Sequence, residues 1–183
     1  MNFLYNKKII TQKECTKIRK CILDNEEMVK GLGPDIYPLT APNSLSGRHT
    51  IFNWLTTEVG EILIPKLHKI FTKFKVPYPI SIQCWANTFR KGEGIETHAH
   101  GTDDNDNAFI SGHIFISGPT EIGTYYNNKK RVNTPGEMTL FKSTEYHHVP
   151  KNTGEQVRIS VALDIFPKAI KDNMYILHDN KRR

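Results

Sequence analysis

The sequence predicts a mainly β fold with N-terminal helices, an antiparallel jelly roll formed as one domain. Three observations carry the prediction. Apolar residues recur at helical spacing until about residue 75, whereas from Ile80 to Phe166 they fall into short runs rich in branched and aromatic residues and bounded by turn chemistry. Eight such runs are present, enough for two sheets packed face to face with a pocket between them. At 183 residues the chain supports one domain with a substantial core and is too short for two well-packed ones. It divides into a helical prologue over 1–78, the β region over 79–166 and a basic C-terminal tail over 167–183.

Thr11-Gln12-Lys13-Glu14 is a capping box and starts the first helix. Cys15, Ile18, Cys21, Ile22 and Met28 follow at helical spacing, and Gly31-Leu32-Gly33-Pro34 ends the element. Residues 31–49 carry Pro34, Pro38, Pro42 and Gly47 and read as a long connection that covers a site. A second helix is expected from about Asn53 to Lys75, with Leu55, Val59, Ile62, Leu67, Ile70, Phe71 and Phe74 as its apolar stripe and Pro65 kinking or dividing it. Strands are expected near 80–90, 95–100, 108–117, 121–127, 130–133, 137–142, 145–150 and 156–166. In the tail, Ile170, Tyr175, Ile176 and Leu177 suggest a last docked turn of helix.

Composition narrows the function classes. Charged residues make up 24% and hydrophobic residues 38%, as in a soluble globular protein, and no apolar run approaches the ~18 residues needed to span a membrane. The first eight residues lack the apolar stretch and small-residue cleavage site of a secretory signal, so a cytoplasmic protein is expected. Cys15, Cys21 and Cys84 form no CxxC pair and read as buried thiols in a reducing compartment. The net charge of +6 is uneven: Lys66, Lys69, Lys73, Lys75, Arg90 and Lys91 occupy a stretch without acids, and Glu93, Glu96, Asp103, Asp104 and Asp106 follow at once. A solvated helix face explains the basic stretch better than nucleic-acid binding, since no aromatic residues interleave with it.

Five of the eight histidines fall between positions 98 and 148. His98-Ala99-His100 places two imidazoles one residue apart; on an extended segment such side chains face the same way and can share one metal. His147, from a distant strand, supplies a third imidazole, a ligand set suited to iron, manganese, zinc or copper. His148 must point to the opposite face, and His113, inside an apolar strand, reads as a core histidine with a local hydrogen-bond partner or as a donor to a bound molecule. His49, His68 and His178 have no such company. Arg158 lies among Val157, Ile159, Val161 and Leu163, and a guanidinium seldom faces a core without an anion. Alternation puts Ser160 beside it on the same face, so both can grip one carboxylate.

Trp85-Ala86-Asn87-Thr88-Phe89-Arg90-Lys91-Gly92-Glu93, His98-Ala99-His100, Ile110-Ser111-Gly112-His113-Ile114-Phe115, Gly136-Glu137-Met138-Thr139-Leu140-Phe141-Lys142-Ser143 with His147 and Val149, and Arg158-Ile159-Ser160 occur in that order. Together they resemble the iron(II)- and 2-oxoglutarate-dependent oxygenases common in marine bacteria and their phages, over about residues 80 to 166. The resemblance implies a double-stranded β-helix, the cupin-like form of the jelly roll. It implies Fe(II) on His98 and His147, with His100 where most of the wider superfamily has a carboxylate; Asp103 and Asp104 are the alternative third ligands. It also implies 2-oxoglutarate held at its C5 carboxylate by Arg158 with Ser160 assisting; Asn87 and His113 are read from their own positions as further cofactor-binding candidates. No catalytic side chain is expected beyond the metal ligands.

The implied activity is hydroxylation of an unidentified substrate, whether protein, small molecule or nucleic acid, with release of succinate and CO2. The implied setting is the cytoplasm, of a bacterium or of the host of a virus encoding the protein, with no membrane partner and a homodimer among the possible assemblies. Trp85, Asn87, Tyr125 and Tyr126 are candidate pocket-lining residues. The alternative reading is a cupin-type metal-binding enzyme or binding protein that does not use 2-oxoglutarate: Gly92, His98, His100 and Asp104, then Gly136 and His147, have the spacing of the two cupin motifs, with Lys142 and Thr144 where proline and glycine are preferred. Arg158 and Ser160 favour the oxygenase. A third reading, a polyanion-binding module with a structural metal, rests on the basic 66–91 stretch and the basic tail.

Overall fold

The computed structural model describes residues 4–32, 45, 52–101, 110–166 and 174–179. Asp103, Asp104, His49, Ile170 and most of the connection over 31–49 lie outside them. Two antiparallel sheets form the jelly roll. The larger is built from β1 (Tyr5–Lys8), β2 (Ile80–Phe89), β4 (Ile110–Ser117), β7 (Glu137–Lys142), β9 (Arg158–Phe166) and β10 (Tyr175–Leu177), in the order β1-β7-β4-β9-β2-β10. The smaller contains β3 (Ile95–His98), β5 (Thr124–Tyr126), β6 (Lys129–Arg131) and β8 (His147–Val149), in the order β3-β8-β5-β6. All eight expected strands are present; that over 137–142 matches its expected bounds, and the others overlap theirs with ends that differ by up to three residues within the described residues.

Two strands were not expected. β1 pairs with β7, Tyr5 opposite Leu140, and β10 pairs with β2, Leu177 opposite Ile80. The tail residues Tyr175, Ile176 and Leu177 therefore form an edge strand in place of a helical turn, because the edge of β2 offers them unpaired backbone groups. Segments from both ends of the chain thus complete the larger sheet.

The first helix, α1 (Gln12–Lys30), begins as the capping box predicts: Glu14 N donates to Thr11 Oγ1 at 3.2 Å and Thr11 N donates to Glu14 Oε2 at 2.7 Å. Its buried face is Cys15, Ile18, Cys21, Ile22, Glu26 and Val29; Met28, expected on that face, is 50% exposed because Val29 takes the inward position. The second helix, α2, runs from Glu58 to Lys73 without being divided at Pro65. Ahead of it, a 3-10 turn at Trp54–Thr56 replaces the expected first helical residues, with Leu55 N bonded to the Asn53 side chain. Gly60 permits this arrangement, since a Cβ there would lie 1.9 Å from the Leu55 carbonyl oxygen.

Both helices pack on the larger sheet. Ile18, Ile22, Leu63, Leu67 and Phe71 join Ile82, Cys84, Ile114, Met138, Ile159, Val161, Leu163 and Ile165 in one continuous core. The three cysteines are free and buried within it. Glu26 fastens α1 to β2: its carboxylate takes both terminal nitrogens of Arg90, at 2.9 and 2.7 Å, and the Thr88 hydroxyl at 2.6 Å. Burial raises the Glu26 value, but the Arg90 and Thr88 hydrogen bonds and the Arg90 charge outweigh it and bring it down to about 2. In the basic stretch, Lys66 pairs with Glu14 at 2.9 Å and Arg90 with Glu26, so part of its charge is internally matched. Among the described residues no helix is long and apolar enough to cross a membrane.

Candidate metal centre

The site forms where the inner faces of the two sheets meet. Residues of one parity on β9 (Ile159, Val161, Leu163 and Ile165) enter the core with the helices, which leaves the other parity, Arg158, Ser160 and Ala162, to line a cavity. The smaller sheet closes the opposite side. Its β3–β8 pair sets His98 directly across from His147, after a register shift between Ile95 and His98. His100 lies two residues beyond His98, past the strand end, where its backbone N–H donates to the Ser143 carbonyl at 2.8 Å.

His98, His100 and His147 converge, with their ligand atoms all within 4.8 Å of one another. Two of the rings are held in the same way. Nδ1 of His98 lies 2.8 Å from the Glu96 carbonyl, and Nδ1 of His147 lies 2.9 Å from the Glu145 carbonyl, in each case two residues earlier. A carbonyl only accepts, so the proton of each neutral ring sits on Nδ1 and the Nε2 lone pair remains for a metal. Burial is the main cause that lowers the His98 value; burial together with His100 and His98 puts His147 well below the ordinary imidazole range. Both rings are therefore neutral at neutral pH, each with a lone pair free on Nε2. Phe141 packs edge-on against His147, with ring centroids 4.8 Å apart, and Tyr126 stacks behind it at 5.8 Å.

His100 is held by a side chain that sequence reasoning missed. Its Nδ1 lies 2.7 Å from Oδ1 of Asp164, a fully buried residue of β9, and Ser111 Oγ donates to the same oxygen at 2.7 Å. The available signal was strand parity: Asp164 lies four residues after Ser160 and so shares its face.

Arg158 is 1% exposed. Its Nη2 donates to Thr124 Oγ1 at 3.2 Å, and its guanidinium carbon lies 5.4 Å from the Phe115 ring centroid and 5.8 Å from that of Phe89. Nε and Nη1 have no hydrogen-bond partner among the described residues. Burial lowers its value to about 10, so it is still a cation at neutral pH. The backbone of Gly118 passes so close that a Cβ there would lie 2.5 Å from Arg158 Cα, and its φ of +121° is one that only glycine adopts easily.

The cavity lining brings together Trp85, Asn87, His98, His100, His113, Thr124, His147, Arg158 and Ser160, with no acidic residue among the described residues. Asn87 and Ser160 are directly opposite on β2 and β9. His113 lines the cavity and has a local partner, with Nδ1 3.1 Å from the Tyr126 hydroxyl; burial and the charges of Arg158 and Arg131 push it down to about 3. Tyr126 therefore backs the cavity wall, while Tyr125 turns outward and stacks on His148 at 4.9 Å. His148 points away from the three converging rings, as alternation requires, with Nδ1 3.3 Å from Thr97 Oγ1.

The residues present fit a divalent transition metal with a small dianion. Three imidazoles are grouped closely enough to hold the metal, and a buried cation with two donor nitrogens unpartnered among the described residues faces the same cavity. No family model matches the sequence, and a search of curated proteins finds no match. Solved structures do resemble the fold. The viral collagen prolyl hydroxylase vCPH of Paramecium Bursaria Chlorella virus-1, as its 2OG complex, superposes with a TM-score of 0.65 at 14% identity, covering 93% of this chain and 97% of that one. A Pseudomonas putida prolyl-4-hydroxylase gives 0.63 at 11% identity over 90% and 92% of the two chains. The non-heme alpha-ketoglutarate-dependent carbocyclase SnoK of nogalamycin biosynthesis gives 0.60 at 13% identity over 86% and 76%. The jelly-roll architecture, or double-stranded β-helix, is what this chain shares with these three structures.

Proposed function

We propose that the protein is an Fe(II)- and 2-oxoglutarate-dependent dioxygenase that hydroxylates a C–H bond of its substrate. The observation that supports this most strongly is Arg158: a fully buried guanidinium with two free donors, opening on the cavity where three imidazoles converge. A cation in that position needs a buried anion, and a dicarboxylate whose other end chelates the metal meets the need.

His98, His100 and His147 would hold the iron on one side, leaving positions open for co-substrate and oxygen. Iron(II) bound with 2-oxoglutarate and dioxygen supplies oxidative decarboxylation to succinate and CO2, coupled to hydroxylation. Arg158 and Ser160, on one face of β9, bind the distal carboxylate; Thr124 orients the guanidinium through Nη2. Asn87, across from Ser160, and His113 offer further polar contacts along the cavity. The aromatic wall of Trp85, Phe89 and Phe141 keeps water from the reaction.

Protein incubated aerobically with Fe(II) and 2-oxoglutarate, without any substrate, tests the reading. Slow succinate formation that stops on chelation of the metal is expected. A protein that binds metal but neither binds nor consumes 2-oxoglutarate would instead be the cupin-type metal protein.

A further inference from the structure

The carboxylate that a two-histidine, one-carboxylate iron site keeps on the metal is present here one atom-shell further out. We propose that Asp164 is a positioning residue that supplies the missing negative charge to the metal through His100. The inference rests on the metal reading above.

Three observations carry it. The His100 ring is tied to a carboxylate at 2.7 Å, whereas His98 and His147 are tied to neutral backbone carbonyls. That carboxylate is fully buried, so water does not screen its charge. Ser111 donates to the same oxygen from β4, which fixes the carboxylate against Nδ1 of the His100 ring. The three imidazoles are therefore not equivalent. With a metal on Nε2, the His100 ring must carry its proton on Nδ1 and donate it to Asp164; the anion makes that ring the most electron-rich of the three ligands. Three neutral histidines would leave a divalent ion's charge to the co-substrate alone. Asp164 restores one unit of negative charge without occupying a coordination position.

Asp164→Asn separates charge from shape, because the amide oxygen can still accept from His100 Nδ1 and Ser111. The probe is Co(II), titrated into the apo-protein by calorimetry and followed by its visible absorption. Wild type is expected to bind one equivalent. Asp164→Asn, with an unchanged circular dichroism spectrum, is expected to bind about tenfold more weakly or worse and to show a shifted cobalt spectrum. Equal affinity and spectrum would overturn the charge role and leave Asp164 a merely steric support. Wild type that binds no Co(II) would instead defeat the metal reading itself. If the variant does not fold, wild type with 15N-labelled histidine and bound Zn(II) decides. One Nδ1 proton, assigned to His100, should lie clearly downfield of the other two. Three equivalent protons would contradict the proposal.

Discussion

Arg158 and Asp164 lie six residues apart on the same face of β9 and divide the site between them, the carboxylate on His100 and the guanidinium facing the cavity. Six residues of strand span about 20 Å, so the two charges do not neutralise one another. Asp164 has His100 and Ser111 as partners. Arg158 has no acidic partner among the described residues, and the stability of the protein should register that.

Replacing Arg158 with methionine removes a buried cation that no acid among the described residues of the cavity lining pairs. The apo-protein should gain about 1 to 4 kcal/mol, because apolar packing substitutes for an unpaired buried charge. Thermal unfolding checks this: a higher midpoint for Arg158→Met than for wild type is expected without ligands. A lower midpoint would mean that the guanidinium is matched within the apo-protein.

His147 and His148 are adjacent, but only His147 turns inward. His147→Ala should abolish the rise in thermal midpoint that Co(II) gives the wild type, while His148→Ala should keep it in full. For scale, metal at a hundredfold excess over its dissociation constant stabilises by about 2.7 kcal/mol. A chelator should return wild type to the midpoint of the apo-protein.

Acid should loosen the helices from the sheet. Glu26 is held at about 2 in the folded protein and reverts to its ordinary value near 4.5 on unfolding. A depressed carboxylate contributes its stabilisation above the unfolded value, and loses it as pH falls from about 4.5 through about 2. The contribution is about 2 kcal/mol after allowance for the partial exposure of Arg90. Urea midpoints measured against pH should fall through this window in wild type and fall less in Glu26→Gln, which starts lower at pH 7.

Much of this was legible in the sequence, since alternation and turn chemistry located eight strands and the spacing of His98, His100 and His147 located one centre. What was not legible depended on tertiary partners. Tyr5–Lys8 and Tyr175–Leu177 are four and three residues long, too short for any periodicity, and become strands only because β7 and β2 present open edges. Met28 and Val29 compete for one inward position, and packing settles it for Val29. Asp164 follows Val161-Ala162-Leu163 as a lone acid in an apolar run. Its meaning required knowing that His100 and Ser111 lie within hydrogen-bond reach.

Titration of 2-oxoglutarate into Co(II)-loaded protein without oxygen, wild type against Arg158→Met, tests the central claim most directly. Wild type should bind one equivalent, and the variant should bind about 30-fold more weakly or worse while holding its metal as before. Equal binding by the two proteins, or no binding by metal-loaded wild type, would contradict it.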